Sequence, residues 1–287
     1  MPVHRQNFPR TLRTTAIYGP GLIGGSLALA LLEGGSAVRL WSRRDSAIDE
    51  IKKLLPACTA STDPIETAKG ADTLVFCTPI GAMKELGGKI APHVAPDALV
   101  TDAGSTKRSV IDDLEPIFGG RFIGSHPMAG SEKSGLSAAR PNLFQNATCV
   151  LTPTSKTPAD TVEKARAFWN TVGAKVIEMD AAEHDRAASR ISHLPHAIAA
   201  VLVNSIHQNT PQAVAIAGGG YRDTTRIAAG PAPMWREILL ENRDELIAGL
   251  DEFSDMLNEL KHFLATNDAA SLEAFLAKAS EAREKIS

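Results

Sequence analysis

Residues 14–33 read TTAIYGPGLIGGSLALALLE: a β-rich run, a glycine-punctuated turn and an apolar helical stretch in immediate succession. The turn, Gly19-Pro20-Gly21-Leu22-Ile23-Gly24, is a GxGxxG, and that string alone is weak. Flanked by a strand and a helix, and followed by a second strand-like run at Ala37–Trp41 (AVRLW), it has the setting that a dinucleotide-binding fingerprint requires. There Gly19 makes the tight turn, Gly21 lets the backbone approach a pyrophosphate, and Gly24 allows helix and sheet to pack closely. Leu22 and Ile23 open the helix, where free N–H groups and the dipole favour an anion. A glycine-rich packing turn without ligand is the plain alternative.

Further apolar runs at Thr73–Cys77 (TLVFC), Leu99–Thr101 (LVT), Phe122–Gly124 (FIG), Thr148–Thr152 and Lys175–Glu178 read as strands. They are continuous rather than alternating, as strands covered on both faces must be. Helical patterns lie between them at Leu22–Glu33, Ser46–Leu55, Gly81–Ile90, Lys107–Phe118 and Ala159–Val172. Alternating β and α over this length predicts a Rossmann-type doubly wound sheet over residues 1–180. No convincing strand follows. Residues 181–287 are expected to form an all-α domain that completes the substrate site and mediates dimerisation, with helices at Leu194–Ile206, Met234–Glu241, Arg243–Ala265 and Ala270–Lys285. The first of these, LPHAIAAVLVNSI, is apolar nearly all round and must be buried on most sides. So small a helical domain is expected to complete its core with a second copy, as a homodimer.

Composition removes several function classes. The chain has 287 residues, 44% hydrophobic and 22% charged, with 30 Lys and Arg against 33 Asp and Glu. The net charge of -3 gives no electrostatic case for nucleic acid as a partner, and no 18-residue apolar run predicts a membrane span. The first thirteen residues carry Arg5, Arg10 and Arg13 without an apolar core, so they read as an extension, not a secretory signal. Cys58, Cys77 and Cys149 are too few and too scattered for a disulfide framework or a zinc site. They read as small hydrophobes in a reducing cytoplasm.

The end of the second strand bears on the choice of cofactor. NAD sites usually place Asp or Glu there to bind the ribose 2′-hydroxyl, whereas this chain reads Trp41-Ser42-Arg43-Arg44. Ser42 can donate to a 2′-phosphate and an arginine can pair with it bidentately, so NADP is the expectation. NAD stays possible because Asp45 could reach back, and Arg43 and Arg44 also fit a solvated loop. Thr78, directly after TLVFC, joins the cofactor-binding candidates.

Hydride chemistry also needs a group to take a proton. Two loops fall at strand ends, where open α/β sheets bind ligands: Asp102-Ala103-Gly104-Ser105-Thr106-Lys107, and the run from Ser125 to Gly135. His126, expected on a loop just after a strand, is placed as general base with an ordinary pKa near 6.5. His193 and His196 are three apart, which could set two metal ligands on one helix face. Pro195 between them favours a helix start instead, and no metal is expected. Gly218-Gly219-Gly220 is either a flexible joint or a means of bringing Arg222, Asp223 and Arg226 into the cleft.

The segments GPGLIGGS, DAGSTK, SHPMAGSEKSG, ISHLPH, GGGYRDTTRIA and MWREILLEN, in this order from about Ala16 to about Glu259, resemble the prephenate/arogenate dehydrogenase family of tyrosine biosynthesis. The resemblance implies a cyclohexadienol substrate that loses hydride to the nicotinamide and its ring carboxylate as carbon dioxide. It implies that His126 takes the hydrogen bond or proton of the ring hydroxyl and that Ser105 assists. It further implies that Arg226 grips a substrate carboxylate, that His193 and His196 line the pocket, and that Glu132 lies near it. Asp223, beside the arginines, reads as an orienter. The second histidine of HLPH is similar to prephenate-using members, so prephenate is the expected substrate and arogenate the alternative. A regulatory or mutase domain of the kind some members carry is not expected.

Two other readings compete. A β-hydroxyacid dehydrogenase would rely on a lysine from the helical part, and none occurs between Lys175 and Lys261. A dinucleotide-sensing regulator would need the glycines without His126, Ser105 and Arg226 together.

Overall fold

The computed structural model describes residues 14–131 and 133–285; the arginine-bearing N-terminal stretch lies outside them. The strands are β1 (Thr14–Tyr18), β2 (Ala37–Trp41), β3 (Thr59–Ser61), β4 (Thr73–Phe76), β5 (Leu99–Asp102), β6 (Phe122–Pro127), β7 (Thr148–Thr152) and β8 (Lys175–Glu178). Among the described residues they form one sheet in the order β3-β2-β1-β4-β5-β6-β7-β8. Pairing is parallel except between β6 and β7, where His126 faces Val150 and Pro127 faces Cys149. The order reverses between β1 and β4, and the crevice above their C-terminal ends is where such sheets take ligands.

Helices α1 (Leu22–Glu33), α2 (Asp45–Leu54), α3 (Pro64–Ala68), α4 (Met83–Ile90), α5 (Arg108–Phe118) and α6 (Ala159–Thr171) cover the sheet. Consecutive strand residues point to opposite faces, so β1 feeds two cores. Ile17 packs with Leu27, Leu31, Leu40, Leu151 and Trp169 on one face. Ala16 and Tyr18 pack with Leu74, Phe76, Met83 and Phe118 on the other. Burial on both sides is why these strands read as continuous apolar runs. The short β3 and α3 carry no such run and have no counterpart in the sequence reading.

Beyond β8 the chain is helical: α7 (Ala181–Ala188), α8 (Leu194–Asn209), α9 (Gly219–Thr225), α10 (Ala232–Glu241), α11 (Arg243–Ala265) and α12 (Ala269–Glu284). A π-helical turn, Ser189–His193, joins α7 to α8 without a break. Within this chain α8 buries only His196 and Ala199, contrary to the expectation that most of its sides are covered. Val201 is 65% exposed, and Ile216, Leu240 and Leu264 are also exposed. Large apolar side chains left exposed on the helical part are candidates for an interaction face. Gly218 caps α9, and Gly219 and Gly220 begin it, so the triplet starts a helix instead of forming a joint. No described helix is long and apolar enough to cross a membrane.

Candidate active site

The turn after β1 has the steric character of a nucleotide cradle. Gly19 adopts a φ of +111°, and a Cβ there would lie 2.6 Å from the Cys77 carbonyl oxygen; one on Gly24 would lie 2.0 Å from that of Gly19. Gly21 faces open space and caps α1 with no side chain bonded to its first N–H groups. The hydroxyl oxygen of Thr78, across the crevice, is buried without a partner. Exposed amides at a helix start, room above them and an unsatisfied hydroxyl fit a dinucleotide pyrophosphate. At the tip of β2, Ser42 is buried and accepts the backbone N–H of Arg44 at 3.3 Å, while Arg43 and Arg44 are exposed.

Two strands further on, β5 and β6 present the chemistry. Ser105 sits half-buried on the turn after β5. That turn is held by Asp102, whose carboxylate accepts N–H from Gly104 at 2.7 Å and from Ser125 at 2.9 Å. The Lys107 ammonium donates to the same carboxylate and, at 2.8 Å, to the Ser125 carbonyl. Lys107 and Asp102 are both fully buried, and as a pair they lock the tips of β5 and β6 together.

His126 corrects the sequence reading. The strand continues through Pro127, so His126 lies within β6 and not on a loop, and it is 8% exposed. Its basicity is therefore not the ordinary one. Burial pushes its pKa well below 6.5, and the neighbouring His184, Lys107 and His193 push the same way. The imidazole is neutral at physiological pH, the state in which it can accept a proton.

Its Nδ1 lies 2.9 Å from Nε2 of His184, and His184 Nδ1 lies 2.8 Å from Oδ1 of Asp185. Neither residue was found from sequence. They ride on α7, whose AAEHDRAA has no large apolar residue to betray a helical period. The available signal was the cap: Asp180 accepts N–H from Ala182 and Glu183, an acidic N-cap with Glu three residues on.

Next along, His193 is fully buried and 3.2 Å from Asn242 Nδ2 through Nδ1. Burial lowers its pKa to about 4 against the opposing pull of Asp185. His196 stacks flat on Trp235, with centroids 3.5 Å apart at 9°. His193 Nε2 and His196 Nδ1 are buried with no hydrogen-bond partner from the chain, and buried polar atoms of this kind are normally satisfied, so both can bond a bound molecule. Arg226 follows α9 directly and is exposed, as is Asp223. Glu132 lies outside the described residues. The Glu237 carboxylate on α10 accepts the N–H of Gly81, tying the helical part to the segment just past Thr78.

A glycine cradle at the sheet's switch point, with a neutral buried imidazole three strands away, defines a nicotinamide-dependent dehydrogenase. The sequence matches the model for the prephenate dehydrogenase nucleotide-binding domain over residues 27–178 and that for the prephenate dehydrogenase dimerization domain over residues 180–278. It is 36% identical to the prephenate dehydrogenase of Bacillus subtilis (strain 168), covering 95% of this chain and 76% of that one. Among solved structures, prephenate dehydrogenase from A. aeolicus in complex with hydroxyphenyl propionate and NAD+ superposes with a TM-score of 0.90 at 32% identity, covering 98% of this chain and all of that one. Synechocystis arogenate dehydrogenase superposes at 0.82 and 29% identity, covering 96% of this chain and 100% of that one. The chain belongs to the prephenate dehydrogenase family.

Proposed function

We propose that this enzyme converts prephenate to 4-hydroxyphenylpyruvate by oxidative decarboxylation, with NADP preferred to NAD. The observation that carries the reading is the buried, neutral His126 on β6, 2.9 Å from His184 and with Lys107 and His193 among the groups that hold its pKa down.

When bound, the nicotinamide accepts the hydride. Gly19, Gly21, Leu22, Ile23, Gly24 and Thr78 would hold the dinucleotide, with Ser42, Arg43 and Arg44 at its 2′-phosphate. His126 takes the ring hydroxyl proton at Nε2 as the carbinol carbon becomes a carbonyl. The bond to the ring carboxylate breaks, its electron pair enters the ring, and carbon dioxide leaves. The proton then returns from His126 to the phenolate oxygen, so no net proton is released from the alcohol. A desolvated imidazolium is a strong acid, which favours that return. Ser105 orients the hydroxyl, and His193 and His196 line the pocket with Glu132 nearby. Arg226, oriented by Asp223, grips the side-chain carboxylate, because a firm hold on the departing one would stabilise the ground state.

In this reading residues 1–180 bind the nucleotide and residues 181–287 complete the cleft and pair two copies through the apolar helical surface, in the cytoplasm. Sedimentation should give the dimer mass; a monomer at assay concentration would contradict the pairing. Arogenate is the second reading, supported by the likeness to the Synechocystis arogenate dehydrogenase.

Crossing both substrates with both nicotinamides and reading reduced cofactor by absorbance tests these choices together. Arogenate turned over faster than prephenate would overturn the substrate reading. An Arg43→Ala, Arg44→Ala double variant should raise KM for NADP by about 10–100-fold, the worth of one or two charge-assisted hydrogen bonds, and leave KM for NAD alone. Equal rates with both nucleotides in the native enzyme would remove the 2′-phosphate role.

A further inference from the structure

We infer that His184 and Asp185 form with His126 a directional relay that holds His126 in its Nδ1–H form and shares the positive charge arriving with the substrate proton. The inference rests on the reading of His126 as the base. His184 and Asp185 are positioning residues; only His126 meets the substrate.

The direction of the relay follows from its far end. Asp185 is 2% exposed and sits at the N-terminus of α5. There it accepts the backbone N–H of Lys107 at 2.7 Å, that of Arg108 at 3.0 Å, and the Arg108 Nε at 3.3 Å. Burial pushes its pKa up, but hydrogen bonds from His184 and from the Arg108 and Lys107 amides outweigh this and hold it below the ordinary value. An ionised carboxylate only accepts, so His184 Nδ1 carries hydrogen. A neutral His184 then has its lone pair on Nε2, and His126 Nδ1 must donate to it. The lone pair of His126 is thereby fixed at Nε2, the nitrogen that faces away from the relay.

The opposite polarity would need a cationic His184. That residue is 2% exposed and is followed by buried His126 in a neighbourhood that already holds the Lys107 ammonium. In the resting enzyme a cation there, out of solvent, is costly; only the proton that arrives with the substrate supplies one.

The relay also handles charge. As substrate O–H breaks and His126 Nε2–H forms, the Nδ1 proton can move to His184 Nε2, setting the imidazolium against the Asp185 carboxylate. The reverse movement returns the proton. His126 comes from the nucleotide-binding part and its relay from the helical part. Asn242 ties the arrangement down by donating to the Asp185 carbonyl at 2.7 Å. The base is therefore set in its working tautomer only when the two parts are seated together.

The test uses the full-length protein. Heteronuclear NMR of histidine-labelled native enzyme should show His126 protonated at Nδ1 and bare at Nε2. His184→Leu should lower kcat about 10²-fold, the low end of what a positioned base contributes, with both KM values within about threefold. It should also leave the His126 tautomer mixed. His184→Gln, whose amide oxygen can still accept from Nδ1, should recover about tenfold of that loss. A native His126 protonated at Nε2, or a His184→Leu enzyme with native kcat, would overturn the relay. The tautomer measurement on the native protein decides the matter even where a variant fails to fold. A fully active His126→Asn enzyme would instead remove the base reading, an outcome distinct from either relay result.

Discussion

Replacing His126 with asparagine is expected to leave a folded, nucleotide-binding protein that turns over prephenate about 10²–10⁴-fold more slowly. The asparagine amide can reach the place of Nδ1 and donate to His184 Nε2, now 2.9 Å from the ring, so the packing of β6 against α7 survives. What disappears is the acceptor at Nε2. The hydride step then forms a protonated carbonyl with no neighbour to relieve it, and kcat should fall while nucleotide affinity stays. Initial rates together with a nucleotide titration check both halves. A variant with native kcat would place the proton acceptor elsewhere.

Lys107→Met should be the most damaging substitution for stability, costing about 3–5 kcal/mol, because removing one partner of a buried ion pair strands the other charge. Both side chains are fully buried, so water cannot replace the ammonium. Asp102 would keep the N–H groups of Gly104 and Ser125 but lose its counter-charge, and the Ser125 carbonyl would lose its donor. Denaturant melts of native and variant protein measure the difference; a loss below about 1 kcal/mol would mean the pair is dispensable. The Asp102–Lys107 pair holds the backbone of Ser125, the residue before His126, so residual activity per folded molecule should fall as well.

The cradle was legible in sequence because its demands are local: strand, turn and helix are contiguous over residues 14–33, and sterics at Gly19 and Gly24 admit no other residue type. The sheet was legible for a similar reason, since strands covered on both faces leave continuous apolar runs. His126 was found as a residue but misjudged in setting. FIG ends the apolar run, yet antiparallel pairing with β7 carries the strand on to Pro127, and the burial that lowers its pKa comes from partners distant in the chain. His184 and Asp185 stayed hidden because α7 packs through alanines and polar groups. Their meaning also arises only where they meet β6, 58 residues away for His184 and His126. Lys107, read as part of a polar loop, is a buried structural cation for the same non-local reason.

The most direct test of the central claim is the pH dependence of kcat/KM for prephenate between about pH 5 and 9, a span bracketing the ordinary histidine pKa. A base must be unprotonated to act, and the pKa of His126 lies well below 6.5. Activity should therefore be level through neutrality and fall only on the acid side of 6.5, with that limb absent in His126→Asn. A rate that climbs as pH drops through neutrality, or an acid limb unchanged in the variant, would contradict a neutral imidazole as the acceptor of the alcohol proton.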